Sequence, residues 1–245
     1  MHYNLLFNGC SHTWGAELHG INFDQEYQRT HRYSHLVATH FGMTYDNIGL
    51  SGKSNDWIVE QTIKWFEEGN TCDMAVIQLT DKKRTITYAD DETEVDITQP
   101  TLKDNSPASK ILFKKFNYSR VISNIYFKNI YSEYLGQQNL YKNLFLINNY
   151  FKSKNIKVIF LSLRKQKYIK NTGWKKYCDH IKLKHIAGDI LPYVENDKDK
   201  IYYCQDYSYK YEQNSKFAWM NGAHPNEFGH QKIAQYIIEE MQLTS

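Results

Sequence analysis

Ser11 stands in "NGCSHTWG", directly behind the apolar run "YNLLF". A hydroxyl on a glycine-bounded turn where a strand stops is where a nucleophile sits, provided a base can reach it. Gly9 and Gly15 permit the close backbone turn. A helix beginning near Ser11 would turn its unpaired N–H groups and positive end toward the serine oxygen, an arrangement that favours a nucleophile and stabilises an oxyanion. An ordinary strand–turn with a capping serine is spelled with the same letters. The second stretch, "NIGLSGKSND" (Asn47 to Asp56), has Gly49 and Gly52 for a tight loop that presents a backbone N–H, with Ser54 or Asn55 to cap the helix behind it. The third, "WMNGAHPNEFGHQKIAQYI", puts His224 in a loop stiffened by Pro225, with Asn226 as the N-cap of the last helix. A lone loop histidine is usually a surface residue; paired with a serine it is a base.

These stretches need a frame to bring them together. Short apolar runs alternate with helical patterns along the chain. The strand candidates are "YNLLFN", "MTYDNIG", "MAVIQLT", "KVIFLSL" and "KIYYCQ", all nearly continuous in Ile, Val, Leu, Phe and Tyr. Such runs suit strands buried on both faces of a parallel sheet. The helix candidates are "RYSHLVATHF", "NDWIVEQTIKWFEEG", two segments within Lys110 to Lys154, and "EFGHQKIAQYIIEEM". The alternation predicts one α/β domain over 1–245: a three-layer α/β/α sandwich around a mainly parallel five-stranded sheet, with right-handed crossovers. Residues 82–107 read as a hairpin excursion. Residues 108–154 read as a helical insertion that packs on the sheet edge or forms an oligomer contact. In an open parallel sheet the carboxyl ends of the strands gather the functional groups, and all three stretches fall there.

Composition narrows the classes. The chain has 245 residues, 41% hydrophobic and 23% charged, with a net charge of +3 spread along its length. That excess is too small and too scattered for a nucleic-acid footprint. Cys10, Cys72, Cys178 and Cys204 show no CxxC or Cys/His spacing, so a disulfide framework or zinc site is not expected and a reducing compartment is. His12, His180, His185 and His230 share no ligand spacing with carboxylates, and no metal or other cofactor is called for. "GLSGKS" misses the phosphate-loop spacing, because the second glycine comes too early. No signal peptide and no membrane span are expected, which points to a cytoplasmic or virion-associated protein.

The three stretches resemble, in order, the sequence blocks of the SGNH (GDSL-type) hydrolase superfamily. "GCSHTWG" is similar to GDSxTxG, "NIGLSGKSN" to NxGxxGxT/S, and "NGAHPNEFGHQKIAQYI" to DGxHPNxxGxxxIA. The resemblance implies acyl transfer. Ser11 would be the nucleophile and His224 its general base, with the backbone N–H groups of Ser11 and Gly52 forming the oxyanion hole. Three positions depart from the family pattern. Cys10 replaces the Asp before the serine, which leaves a cysteine-based variant open. The GxND block expected after "MAVIQLT" is replaced by "LTDKKR", so the donor from its Asn would have to come from Thr80, Lys82 or Arg84. The acid three residues before the histidine has become Asn221, and an Asn in a serine–histidine triad can cost about 10⁴-fold in rate. A backbone carbonyl, or a carboxylate such as Asp206, is the remedy on offer. Two functions follow. One is an esterase acting on a small ester or acylated carbohydrate. The other is a weakened module of the same fold that binds carbohydrate or belongs to a larger assembly, a viral particle included.

Overall fold

The computed structural model describes residues 1–16, 18, 24–88, 94–97, 122–164, 173–191 and 224–244. Among the described residues five strands build the main sheet: β1 (His2–Asn8), β2 (Tyr45–Asn47), β3 (Thr71–Leu79), β6 (Lys157–Arg164) and β7 (Leu183–His185). Their order is β2-β1-β3-β6-β7, and every pairing is parallel. Two further strands, β4 (Thr85–Tyr88) and β5 (Glu94–Ile97), pair antiparallel as a separate hairpin inside the 82–107 excursion.

The apolar runs are continuous because both faces of the sheet are covered. Leu5 and Phe7 of β1 and Val76 of β3 pack on one side, against α3 (Tyr33–Phe41) and the last helix, α8 (Glu227–Thr244). Leu6, Ala75 and Ile77 point the other way, against α4 (Asn55–Glu67) and α6 (Glu133–Ser153). Successive residues alternate between the two cores, as the period of a strand requires. The result is the expected three-layer sandwich.

Local signals set the helix boundaries. Ser54 Oγ accepts from Trp57 N at 3.2 Å and starts α4, and Ser132 Oγ accepts from Leu135 N at 3.1 Å and starts α6. Asn226 caps α8, its Oδ1 accepting from Gly229 N at 3.0 Å. Asp24 caps α2 (Gln25–His31), and α1 is the single turn Ser11–Trp14. A helix over 122–129, α5, the short α7 (Lys175–Cys178) and a π-helical turn (Ile186–Ile190) complete the helices among the described residues.

One sequence expectation differs from the structure, and one strand of the sheet went unread. The 108–154 block is not wholly an insertion: Leu140, Leu144, Ile147 and Phe151 of α6 are buried in the core, making α6 the helix that crosses from β3 to β6. Beyond β6 the described sheet ends in β7, which carries "LKH". Edge strands tolerate lysine because one side stays open, and so they leave a weak apolar signal. The strand read in "KIYYCQ" lies outside the described residues, as do most of 89–121.

Candidate active site

The connections from β1 and β3 diverge. The chain leaving β1 runs through α3 on one face to β2, and the chain leaving β3 runs through α6 on the other face to β6. The β1–β3 pair is therefore the topological switch point of the sheet, where loops on both sides open a crevice at the carboxyl ends. Asn8, the last residue of β1, is fixed there by its side chain. Its Nδ2 donates to Ile58 O and to Thr62 Oγ1, each at 2.9 Å, and its Oδ1 accepts from Gly9 N at 2.7 Å.

Gly9 is required by close approach. A Cβ there would collide with Thr13 Oγ1 and would lie 2.8 Å from the Cβ of Gln78 on β3. Gln78 then organises the whole turn. Its Oε1 accepts from Cys10 N at 3.2 Å, from Cys10 Sγ at 3.3 Å and from Thr13 Oγ1 at 3.1 Å, while its Nε2 donates to Leu79 O at 2.8 Å. A backbone N–H can only donate and a carbonyl can only accept, so this amide orientation is forced. Thr13 spends its proton on Gln78, and the 2.6 Å contact with Tyr33 must therefore be Tyr33 O–H donating to Thr13 Oγ1. Burial raises the Tyr33 pKa, which keeps the phenol protonated for that role.

Ser11 follows as the first residue of α1 and is almost fully buried. Its Oγ donates to Cys10 Sγ at 3.7 Å. A helix does start at Ser11, as the sequence predicts, but four residues align too few peptide dipoles to make a strong positive end. What the turn offers is individual amides. Thr13 N and Trp14 N already donate to Cys10 O, whereas the Ser11 amide makes no hydrogen bond to another described residue. Cys10 is fully buried within the Gln78 network, its thiol committed to Oε1.

The second loop is zipped to the first. Ile48 N donates to Phe7 O at 3.0 Å and Leu50 N to Gly9 O at 3.1 Å, extending the β1–β2 pairing past the end of β2. Asn47 Nδ2 ties the loop to Thr13 O at 2.9 Å and to Ser34 Oγ at 2.7 Å. Gly52 adopts φ 85° two residues beyond Leu50, a conformation that disfavours any side chain. Thr80 is the first of the three donor candidates after β3. It is fully buried, and its backbone is clasped by Asn55: Thr80 N donates to Asn55 Oδ1 at 2.7 Å, and Asn55 Nδ2 donates to Thr80 O at 3.3 Å. Its Oγ1 has no hydrogen-bond partner among the described residues. Lys82 is committed elsewhere, ion-paired with Glu133 Oε2 at 2.6 Å, and its hydrogen bond is the main reason the Glu133 pKa is lowered. Arg84 Nη1 is buried and lacks a partner among the described residues.

His224 comes from the far end of the chain to this turn. Its ring centroid lies 5.3 Å from that of His12, the residue after Ser11. Behind it, His230 on the first turns of α8 is fully buried, and its Nδ1 accepts from Tyr33 N at 3.1 Å. Burial first, then the charges of His224 and Arg32, push the His230 pKa down to about 3, so the ring stays neutral. An accepting Nδ1 forces the proton onto Nε2, which has no partner among the described residues. Asn221 and Asp206 lie outside the described residues. Among the described residues no group of three or more His, Cys, Asp or Glu could hold a metal ion, and no helix is long and apolar enough to cross a membrane.

Sequence reasoning missed Gln78, Asn8 and His230. Two of them carried a signal: Gln78 interrupts "MAVIQLT" and Asn8 ends "YNLLFN", each a polar side chain on a strand otherwise buried on both faces. Such a residue has to find partners inside.

The chain is a doubly wound α/β sandwich with its conspicuous polar residues at the switch point. No protein-family model matches it, and no curated protein does. Solved structures similar to it include three esterases. One is a carbohydrate esterase whose active site displays divergent catalytic and non-catalytic binding functions: 10% identity and TM-score 0.47, over 98% of this chain and 68% of that one. Another is an acetyl xylan esterase from the rumen bacterium Butyrivibrio proteoclasticus: 11% identity and TM-score 0.48, over 98% of this chain and 63% of that one. The chain thus spans less than two thirds of that esterase. The third is a psychrotrophic esterase from Pseudoalteromonas sp., inhibited by monoethylphosphonate: 9% identity and TM-score 0.45, over 99% of both chains.

Proposed function

We propose that the protein is a serine hydrolase of the SGNH type, an esterase that transfers the acyl group of a small ester or acylated carbohydrate to Ser11 and then to water. The observation that carries this reading is the 5.3 Å contact between the rings of His224 and His12, which brings a carboxy-terminal imidazole to the nucleophile turn. In the proposed reaction Ser11 Oγ swings away from Cys10 Sγ, gives its proton to His224 and attacks the ester carbonyl. The carbonyl oxygen becomes an oxyanion, held by the amides of Ser11 and Gly52 with the Thr80 hydroxyl as third donor. His224 returns the proton to the departing alcohol. Water, deprotonated by the same imidazole, then releases the acid and restores the serine. Asn221 occupies the family's acid position in the sequence, and the reading assigns it the orientation of the imidazole.

The test is hydrolysis of 4-nitrophenyl acetate by the wild type, Ser11→Ala and His224→Ala. The reading predicts turnover in the wild type and loss of about 10⁴-fold in either variant. Equal turnover in all three would remove Ser11 and His224 from the chemistry. A second reading, a binding module that retains the fold without catalysis, is favoured by the near-complete burial of Ser11 and the commitment of its hydroxyl to Cys10 Sγ. It predicts no turnover in any of the three proteins.

A further inference from the structure

A groove with a cavity volume of about 580 Å³ opens beside the nucleophile turn, lined among others by Trp14, Arg29, Arg32, Asp46, Leu50 and Trp57. Neither Ser11 nor His224 lines it. It nevertheless shares its walls with the site. Trp14 is the last residue of the turn that begins at Ser11, and Leu50 is bonded through its amide to Gly9 O. Arg32 precedes Tyr33, whose amide donates to His230. Gln28 Nε2 donates to Gly15 O at 2.8 Å, fastening the helix that carries Arg29 to the end of α1.

The charges in the groove are unbalanced. Among the described residues neither Arg29 nor Arg32 forms an ion pair, and Arg32 Nε is buried without a hydrogen-bond acceptor. An unpaired buried donor on a guanidinium is costly, and an arriving acceptor relieves it. Among the described residues Asp46 is the one acidic residue in the lining, and its Oδ2 already accepts from Trp65 Nε1 at 2.8 Å. Two guanidinium groups against one carboxylate leave a net charge near +1, which suits a monoanion better than a dianion. The planar guanidinium fork matches a carboxylate through two parallel hydrogen bonds. Trp14 and Trp57 add flat apolar surface.

We propose that this groove binds a carboxylate-bearing ring, such as an acidic sugar, with the carboxylate on Arg32 and Arg29 and the ring against the tryptophans. Resting on the esterase reading, the proposal makes the groove the subsite that selects acidic esters for Ser11.

The test is titration calorimetry with glucuronate, glucose and inorganic phosphate on the wild type, Ser11→Ala, Arg32→Gln and Arg29→Gln. Glucuronate is expected to bind the wild type and Ser11→Ala alike, at least about tenfold tighter than glucose. Arg32→Gln should weaken it about tenfold or more. Arg29→Gln, on an exposed helix face, gives a second readout free of folding effects and should weaken it several-fold. Equal binding of glucuronate and glucose, indifference to both arginine changes, or tighter binding of phosphate would each overturn the proposal. Turnover of 4-nitrophenyl acetate separates the two readings. If Ser11 hydrolyses that neutral ester but the groove ignores glucuronate, the groove falls and the esterase stands. If the groove discriminates and Ser11 is inert, the ligand class stands and its role as an ester subsite falls.

Discussion

Replacing His230 with Asn tests the wall behind the site by a pH signature. The Asn Oδ1 can take the place of Nδ1 and keep the bond from Tyr33 N, so the change removes the titration while retaining the acceptor. His230 is held neutral in the fold, with its pKa lowered to about 3, against about 6.5 in an unfolded chain. Between those values the unfolded state binds more protons, so stability is present above the unfolded value and falls as pH drops below it. From pH 7.0 to 5.5, unfolded His230 goes from mostly neutral to mostly charged while the folded form stays neutral. Integrating the linkage gives a loss of about 1.3 kcal/mol. The figure barely depends on how deep the depression is, because any folded value below about 4.5 yields nearly the same loss. The assay is urea denaturation at both pH values for the wild type and His230→Asn. The stability lost on acidification should be about 1.3 kcal/mol smaller in the variant, since the other titrating groups, His35 with its lowered pKa among them, contribute to both proteins. An equal loss in both would show that His230 is not buried neutral, and the packing of α8 on Tyr33 would be wrong.

Further predictions concern the turn at Ser11. Gln78→Met keeps the volume but leaves Cys10 N and Thr13 Oγ1 without their buried acceptor, at about 1–3 kcal/mol each; thermal denaturation should show a fall of at least about 4 °C, and an unchanged midpoint would deny Gln78 its organising role. Gly9→Ala forces a Cβ into Thr13 and Gln78 and should cost about 1–3 kcal/mol by urea denaturation, whereas a neutral result would mean that the strand ends are further apart. Thr80→Val removes the hydroxyl proposed as third oxyanion donor without changing the shape; ester turnover should fall by about 10²-fold or more in kcat with KM little changed, and an unaltered kcat would exclude that hydroxyl.

The layers of the fold were legible because burial on both faces makes β1 and β3 unbroken apolar runs, and because the helices between them carry their caps openly in Ser54 and Asn226. The edge was not. Leu183–His185 is short, carries lysine and is only half-buried, so nothing in its letters marks it as a strand. Around the candidate site, the helix start at Ser11 and the positive-φ glycine at Gly52 were legible from their turn chemistry. The supports were harder to read, since their partners lie far along the chain: Gln78 reaches Cys10 across 68 positions, and His230 reaches Tyr33 across 197. A polar residue inside a buried strand announces that it needs a partner without saying which. Likewise, nothing in "LTDKKR" separates Thr80 from Lys82; only the pairing with Glu133 takes the lysine out of contention.

The most direct measurement is covalent capture with a fluorophosphonate, followed by mass spectrometry of the digested protein. The account predicts one adduct, on the peptide containing Ser11, that is absent from Ser11→Ala and forms far more slowly in His224→Ala. An adduct on any other residue, or an identical labelling rate without the imidazole, would contradict it.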